Sequence, residues 1–329
     1  MILVTGGAGY IGSVLVRRLL DRGYRVKVYD TFFFGEEPLE EVRENILIER
    51  GDIRDFNEKV LENIDAVIHL AALSNDPTAE YNPGTNMEIN AEGTRSLARL
   101  CKKCGIKKFI YASSCSVYYT EEVCDDLKDE NSPVSPAAPY SLSKLKGEEA
   151  LLELADADFA PVLLRQGTVY GMSPRMRYDL VVNTMVKDIF TTGTIKVFAR
   201  GEMWRPIISV NNIVDFYIYC LETDTDIGGE IINLVHKNYR IIDLAGQVKE
   251  VLKDIKDIRI DVQEFIPSKF RSYRVSNKKS RDLLGFTAEE TPEDTAMEIY
   301  KSLEKNGLSE VNNPVYYNIQ WMEEKGYLK

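Results

Sequence analysis

The sequence predicts an α/β fold: a Rossmann-type doubly wound parallel sheet with a smaller α/β domain packed over one end of it. Three observations predict this. Short β-prone runs alternate with amphipathic stretches through the first half of the 329 residues, which implies parallel strands joined by helical crossovers. A run of glycines follows the first of those strands, where a parallel fold of this kind needs a tight turn. Beyond Gly171 the alternation loosens. Residues 1–171 are therefore assigned to the sheet domain and 172–329 to the smaller one, with the chain returning to the first around 205–240.

The elements follow in order. Ile2–Thr5 reads as the first strand, and the amphipathic stretch Ile11–Leu20 runs to Gly23. Arg25–Tyr29, Asn45–Ile48 and Asp65–Leu70 read as the next three strands. Asn86–Lys103 reads as one long helix, Lys108–Ala112 as the fifth strand, Tyr140–Ala155 as a helix and Pro161–Arg165 as the sixth strand. In the second half Arg177–Phe190 reads as a helix, and Thr194–Phe198 and Ile207–Val210 as strands. Asn211–Leu221 reads as a helix capped by Asn211 or Asn212. Past Ile241 come helices, a strand near Ile258–Val262 and a helical C-terminal region.

Composition narrows the function. Asp plus Glu total 52 against 41 for Lys plus Arg, a net charge of −11, and no basic stripe is present. A nucleic-acid partner is not expected, because phosphate-backbone binding needs such a footprint. No run approaches the roughly 20 apolar residues of a membrane span, and the apolar N-terminus is broken by glycines and lacks a basic region. Five scattered cysteines point to a reducing compartment, so the expectation is a soluble cytoplasmic protein. Cys101 and Cys104 form a C-x-x-C at a helix end with no partner motif to complete a metal site, and read as two small packed residues. His69 lies inside an apolar run and reads as a core or strand-end residue.

Two motifs carry chemistry. Thr5-Gly-Gly-Ala-Gly-Tyr-Ile-Gly12 places Gly6, Gly9 and Gly12 between strand and helix, a loop that lets backbone approach a pyrophosphate at a helix N-terminus. Asp30 stands 18 residues beyond Gly12, at the end of the second strand, where a carboxylate accepts ribose hydroxyls and repels a 2′-phosphate. No arginine follows among Thr31, Phe32, Phe33 and Phe34, so NAD is expected over NADP. Asp52 and Ile53, after the third strand, either hold the adenine edge or are ordinary surface. Tyr140 and Lys144 are four apart at a helix start and share a face; an ammonium beside the phenol lowers the tyrosine pKa and suits it to acid–base work. Ser114 ends the fifth strand nearby.

These motifs, with GDIRD (51–55), HLAA (69–72), IN and the following GT (89–94), YASSCSVY (111–118) and TVYG (168–171), resemble the extended short-chain dehydrogenase/reductases. The resemblance is to their NAD-dependent nucleotide-sugar epimerase/dehydratase family, and it spans nearly the whole chain. It implies that Gly6, Gly9, Tyr10, Ile11, Gly12, Asp30, Asp52 and Ile53 contact NAD, that Leu70, Ala71 and Ala72 line its path, and that Asn90 lies close. It implies that Lys144 holds the nicotinamide ribose and that Ser114 and Tyr140 meet the sugar. Asn183, Arg205, Arg271 and Arg274 stand where the family holds the nucleotide diphosphate, a task suited to forked guanidinium donors. Arg175 and Arg177 either touch the sugar or phosphates or flank a helix start on the surface. Helices 86–103 and 140–155 resemble those of a homodimer interface.

Among the family's reactions, C4 epimerisation of a nucleotide-diphosphate sugar fits best. Its dehydratases carry an Asp-Glu pair directly after the Ser/Thr, where this chain has Cys115 and Ser116. Ketoreductases often prefer NADPH, against Asp30, and decarboxylation would suit NAD without any feature demanding it. A dinucleotide-sensing module that turns nothing over would be expected to lose the Tyr–Lys pair or the glycine loop; both are intact. The chain departs from the family pattern at Tyr119 (usually Gly), Thr168 (often Asn), and Ser209 and Asn211 (usually His and Asp).

Overall fold

The computed structural model describes residues 1–119, 126–265 and 271–326; Cys124 lies outside them. Seven strands form one all-parallel sheet. From one edge their order is Ile231–Leu234, Val162–Gln166, Lys108–Ser114, Ala66–His69, Ile2–Thr5, Val26–Asp30 and Ile46–Arg50. The order reverses beside the first strand, and that switch point is where a crevice opens at the carboxyl ends of the strands.

Alternation along each strand builds two apolar layers. Ile2, Val4, Ile110, Ala112, Val162 and Leu164 pack against helices Gly12–Asp21 and Val210–Glu222. Leu3, Phe109, Tyr111 and Leu163 pack against Thr94–Lys103 and Pro139–Leu154 on the other side. A third core, including Tyr170, Tyr178, Val186, Leu244 and Ile299, lies among helices Val181–Thr192, Ile241–Leu252 and Pro292–Asn306. Beside it, Trp204–Ser209 pairs with Thr168–Tyr170 and Lys237–Arg240.

Several elements differ from the sequence reading. The segment 86–103 is not one regular helix: Pro83–Met87 is α-helical, Glu88–Gly93 is a π-helical turn, and Thr94–Lys103 is α-helical again. The helix expected from Arg177 begins at Val181, because Arg177 turns back onto Asp179 and Leu180 is extended. Ser209, not Asn211 or Asn212, caps the next helix: its hydroxyl accepts the Asn212 N–H at 3.1 Å. Cys101 is buried, whereas Cys104 is exposed at the helix end.

His69 is fully enclosed. Its Nδ1 meets the Thr5 hydroxyl at 2.6 Å and its Nε2 the Thr94 hydroxyl at 2.9 Å, tying the first and fourth strands to the helix behind them. Burial holds the ring neutral, its pKa down from 6.5 to about 3. The unfolded chain takes up this proton below pH 6.5 and the folded chain does not, so stability is lost as the pH falls through that window. Between pH 7 and pH 5 the His69 contribution amounts to up to roughly 2 kcal/mol. Urea melts at those two pH values should show His69→Gln losing less stability on acidification than the parent; equal losses would assign the acid sensitivity elsewhere.

Candidate active site

The phosphate loop is packed where it meets the sheet and open where it meets the crevice. Gly6 has φ +74°, and a Cβ there would lie 2.7 Å from the Ala71 nitrogen; a Cβ on Gly12 would lie 2.2 Å from the Gly6 carbonyl oxygen. Gly9 has only that carbonyl near its missing Cβ, at 3.1 Å, and lines the cleft. Ile11, at the helix N-cap, supplies no side-chain acceptor, so the first-turn N–H groups remain for an anionic ligand.

Asp30 closes the second strand. Its carboxylate accepts the Ala8 N–H at 2.9 Å and the Phe32 N–H at 2.8 Å. Burial pushes its carboxyl above the usual range, against the pull of those N–H donors. Asp52 accepts the Arg54 N–H at 2.9 Å and pairs with its guanidinium at 2.7 Å, which holds its carboxyl below the usual range. Ile53 is buried beside it, and Leu70, Ala71 and Ala72 form the adjoining wall of the cleft. A glycine loop that admits no Cβ, a free helix N-terminus and a carboxylate at the second strand's end together fit a dinucleotide without a 2′-phosphate.

Ser114, Tyr140 and Lys144 converge at the other end of the same cleft. Pro139 opens the catalytic helix and fixes the entry of its first turn. The Tyr140 phenol is hydrogen-bonded to Ser114; burial raises its pKa, and Ser114 and the Arg177 charge oppose that rise. Lys144 is not beside the phenol as the spacing suggested. A buried ammonium needs an acceptor, and Lys144 donates to the Ala112 carbonyl at 2.9 Å while lying 5.0 Å from the centre of the Tyr111 ring. Burial brings its pKa down to about 7, with Glu148 pulling the other way. The cation acting on Tyr140 here is Arg177, which pairs with Asp179 at 2.8 Å and reaches the Ser74 hydroxyl at 3.1 Å.

Behind this end lies a buried polar relay. Arg165 grips Glu148 at 2.6 Å and donates to the Tyr118 hydroxyl at 2.8 Å, which in turn donates to Asn233 at 2.9 Å. Ser113 donates to the same Glu148 carboxylate.

The remaining expected residues divide. Asn90 is fully buried behind the cleft wall, bonding Leu73 N–H at 2.9 Å, Leu73 carbonyl at 3.1 Å and Ser143 at 3.0 Å. Asn183 is buried too, accepting the Gly171 N–H at 3.0 Å and donating to the Arg177 carbonyl at 2.9 Å; neither faces the cleft. Arg205 and Arg271 come together, Arg205 donating to the Arg271 carbonyl. Arg271 pairs with Asp76 and, at 3.3 Å, with Glu80, and Arg274 lies 4.9 Å from the Trp204 ring centre. This group adjoins the cleft through Tyr273 and Asp76, without lining it. Arg175 does line it. Ser116, Gln166, Phe34 and Asn318 also line it, and sequence reasoning assigned none of them to it. Ser116 and Gln166 adjoin recognised motifs, but Asn318 has no local signal.

The family described as "NAD dependent epimerase/dehydratase family" matches residues 2–234. A Methanocaldococcus jannaschii relative named for UDP-glucose 4-epimerase is 30% identical over 234 residues, 69% of this chain and 75% of that one. The UDP-N-acetyl-alpha-D-glucosaminuronate decarboxylase of Bacillus cytotoxicus is 29% identical over 268 residues, 78% and 79% of the two chains. Among solved structures, the UDP-glucuronic acid 4-epimerase of Bacillus cereus, in complex with UDP-glucuronic acid and NAD, superposes with a TM-score of 0.81. It is 26% identical, with 93% of this chain and 99% of that one covered. This chain belongs to the NAD-dependent epimerase/dehydratase family of the extended short-chain dehydrogenase/reductases. No group of three or more His, Cys, Asp or Glu side chains among the described residues is placed to hold a metal ion.

The loop geometry separates two glycine substitutions. Gly12→Ala forces backbone apart and should lower the melting temperature by several degrees as well as abolish NAD retention. Gly9→Ala should leave the melting temperature within about 2 °C and weaken NAD binding alone. Thermal melts of NAD-free protein, with assay of NAD carried through purification, check both; identical melting losses would contradict this division of roles.

Proposed function

We propose that the protein interconverts C4 epimers of a nucleotide-diphosphate sugar, with Tyr140 as the proton-transferring group. The observation that carries this reading is the convergence of the Ser114–Tyr140 pair and the phosphate loop on one cleft, with Cys115 and Ser116 following Ser114 where the dehydratases have carboxylates. NAD, when bound, takes hydride from a carbinol carbon and returns it. The chain's own residues do the rest. Gly6, Gly9, Gly12, Tyr10 and Ile11 hold the pyrophosphate, and Asp30 and Asp52 hold the adenosine end. Leu70, Ala71 and Ala72 pack along the cofactor.

Ser114 orients the C4 hydroxyl of the sugar towards Tyr140. Tyr140 receives the hydroxyl proton as the 4-keto sugar forms and gives it back after the sugar has presented its other face, so no net oxidation results. Arg177 stabilises the charge that Tyr140 carries between those events. Lys144 supplies the donor for the nicotinamide ribose. Arg205, Arg271 and Arg274 take the sugar's diphosphate, for which Arg271 must exchange its carboxylate partners.

The described cysteines are free thiols, which suits a cytoplasmic enzyme, and no helix among the described residues is long and apolar enough to cross a membrane. We assign the helices Thr94–Lys103 and Pro139–Leu154 to a homodimer interface, supported by the exposed Leu152. Tyr140→Phe should lower kcat by about 10²- to 10⁴-fold while leaving NAD content unchanged. Proton NMR of C4 inversion across a panel of nucleotide sugars measures it; full activity in that variant would remove Tyr140 from the reaction.

A further inference from the structure

Arg175 is a charge without a counter-ion. Its residue is 2% exposed, it makes no ion pair among the described residues, and its Nε is buried without a hydrogen-bond partner. Asp179 attracts it, but is held by Arg177 through hydrogen bonds of 2.9 and 2.8 Å. A buried unpaired cation is costly, and a chain that keeps one has an anion to set against it.

The surroundings say which anion. The guanidinium lies 3.9 Å from the centre of the Phe34 ring and donates to Asn318 at 2.7 Å, so its orientation is fixed from two sides. Its backbone N–H is held by the Ser173 hydroxyl at 3.2 Å, and that hydroxyl donates to the Tyr10 carbonyl at 2.7 Å. Arg175 is thereby tied to the phosphate loop itself. It shares the cleft wall with Gly9–Gly12, whereas Arg205, Arg271 and Arg274 gather beyond Tyr273. The chain after Asp30 turns through Phe32, Phe33 and Phe34, whose side chains carry no donor for a phosphate.

We propose that Arg175 is a ligand of the dinucleotide's diphosphate, positioned by Phe34 and by Asn318 of the C-terminal helix. The assignment rests on the NAD-binding reading above. It makes the helix Asn318–Lys325 part of the cofactor site, nearly 300 residues from the glycine loop. That helix is also anchored to the loop after Asp30, through the Trp321 indole N–H donating to the Phe33 carbonyl at 2.7 Å.

Calorimetric titration of the full chain with ADP, adenosine and UDP tests it. Arg175→Met should weaken ADP binding by 10- to 100-fold and leave adenosine and UDP unchanged, with Arg175→Lys intermediate and Asn318→Ala showing a smaller loss for ADP alone. The proposal is overturned if ADP binds Arg175→Met as tightly as the parent, if adenosine weakens equally, or if UDP weakens in place of ADP. Should Arg175→Met fail to fold, Arg175→Lys and Asn318→Ala carry the same comparison. A parent chain that binds neither ADP nor adenosine would overturn the dinucleotide reading, and this assignment with it.

Discussion

The catalytic geometry depends on one buried ion pair, Glu148 with Arg165, whose side chains are only 1% and 4% exposed. Such a pair contributes little net stability, yet removing one partner strands the other charge; it works as a constraint. Glu148 lies two helical turns beyond Tyr140 on the same face, so gripping it sets the rotation of the helix that carries Tyr140 and Lys144. Arg165 belongs to the strand beside Ser114, with Ser113 and Arg165 in register. Ser113 bonds Glu148 on the helix side, and alternation then turns Ser114 the other way, into the cleft. Tyr118 and Asn233 extend the same grip to the edge strand.

Charge is distributed against the average. The chain is acidic overall, but the cleft gathers Lys144, Arg175 and Arg177 in places where burial strengthens their fields. Each cation has a separate station: Lys144 on a strand carbonyl, Arg177 by the phenol, Arg175 by the phosphate loop. Asp179 secures only the middle one. The separation lets a single crevice take an anionic cofactor and an anionic substrate end to end, without a basic patch that would draw other polyanions.

The fold was legible because its signals are local. Period-two strands, 3.6-period helices and the glycine turn each occupy fewer than twenty residues, and the structure moves the first six strands by no more than two residues at either end. Loop glycines, Asp30, Ser114, Tyr140 and Lys144 were legible for the same reason. What was not legible depends on partners far along the chain. Asn90 and Asn183 look like binding residues in sequence, yet their amides satisfy backbone groups that packing has enclosed. Lys144 was expected at the phenol, but the Ala112 carbonyl supplies an acceptor that helix spacing cannot reveal. Asn318 enters the cleft only because the C-terminal helix folds back onto the first domain.

The π-helical turn at Glu88–Gly93 sets a limit on how this chain can change in length. One residue beyond α-helical winding is accommodated there, and Thr94, just after it, still bonds the Asn90 carbonyl at 2.7 Å and His69 at 2.9 Å. Losing a single residue from this turn would restore ordinary winding and rotate everything after it by about 100°. Leu97, Ala98 and Cys101 would swing away from the sheet, and the anchors of His69 and Leu73 would point elsewhere. Homologous chains that share this wall of the cleft should therefore tolerate substitutions in the turn far better than deletions.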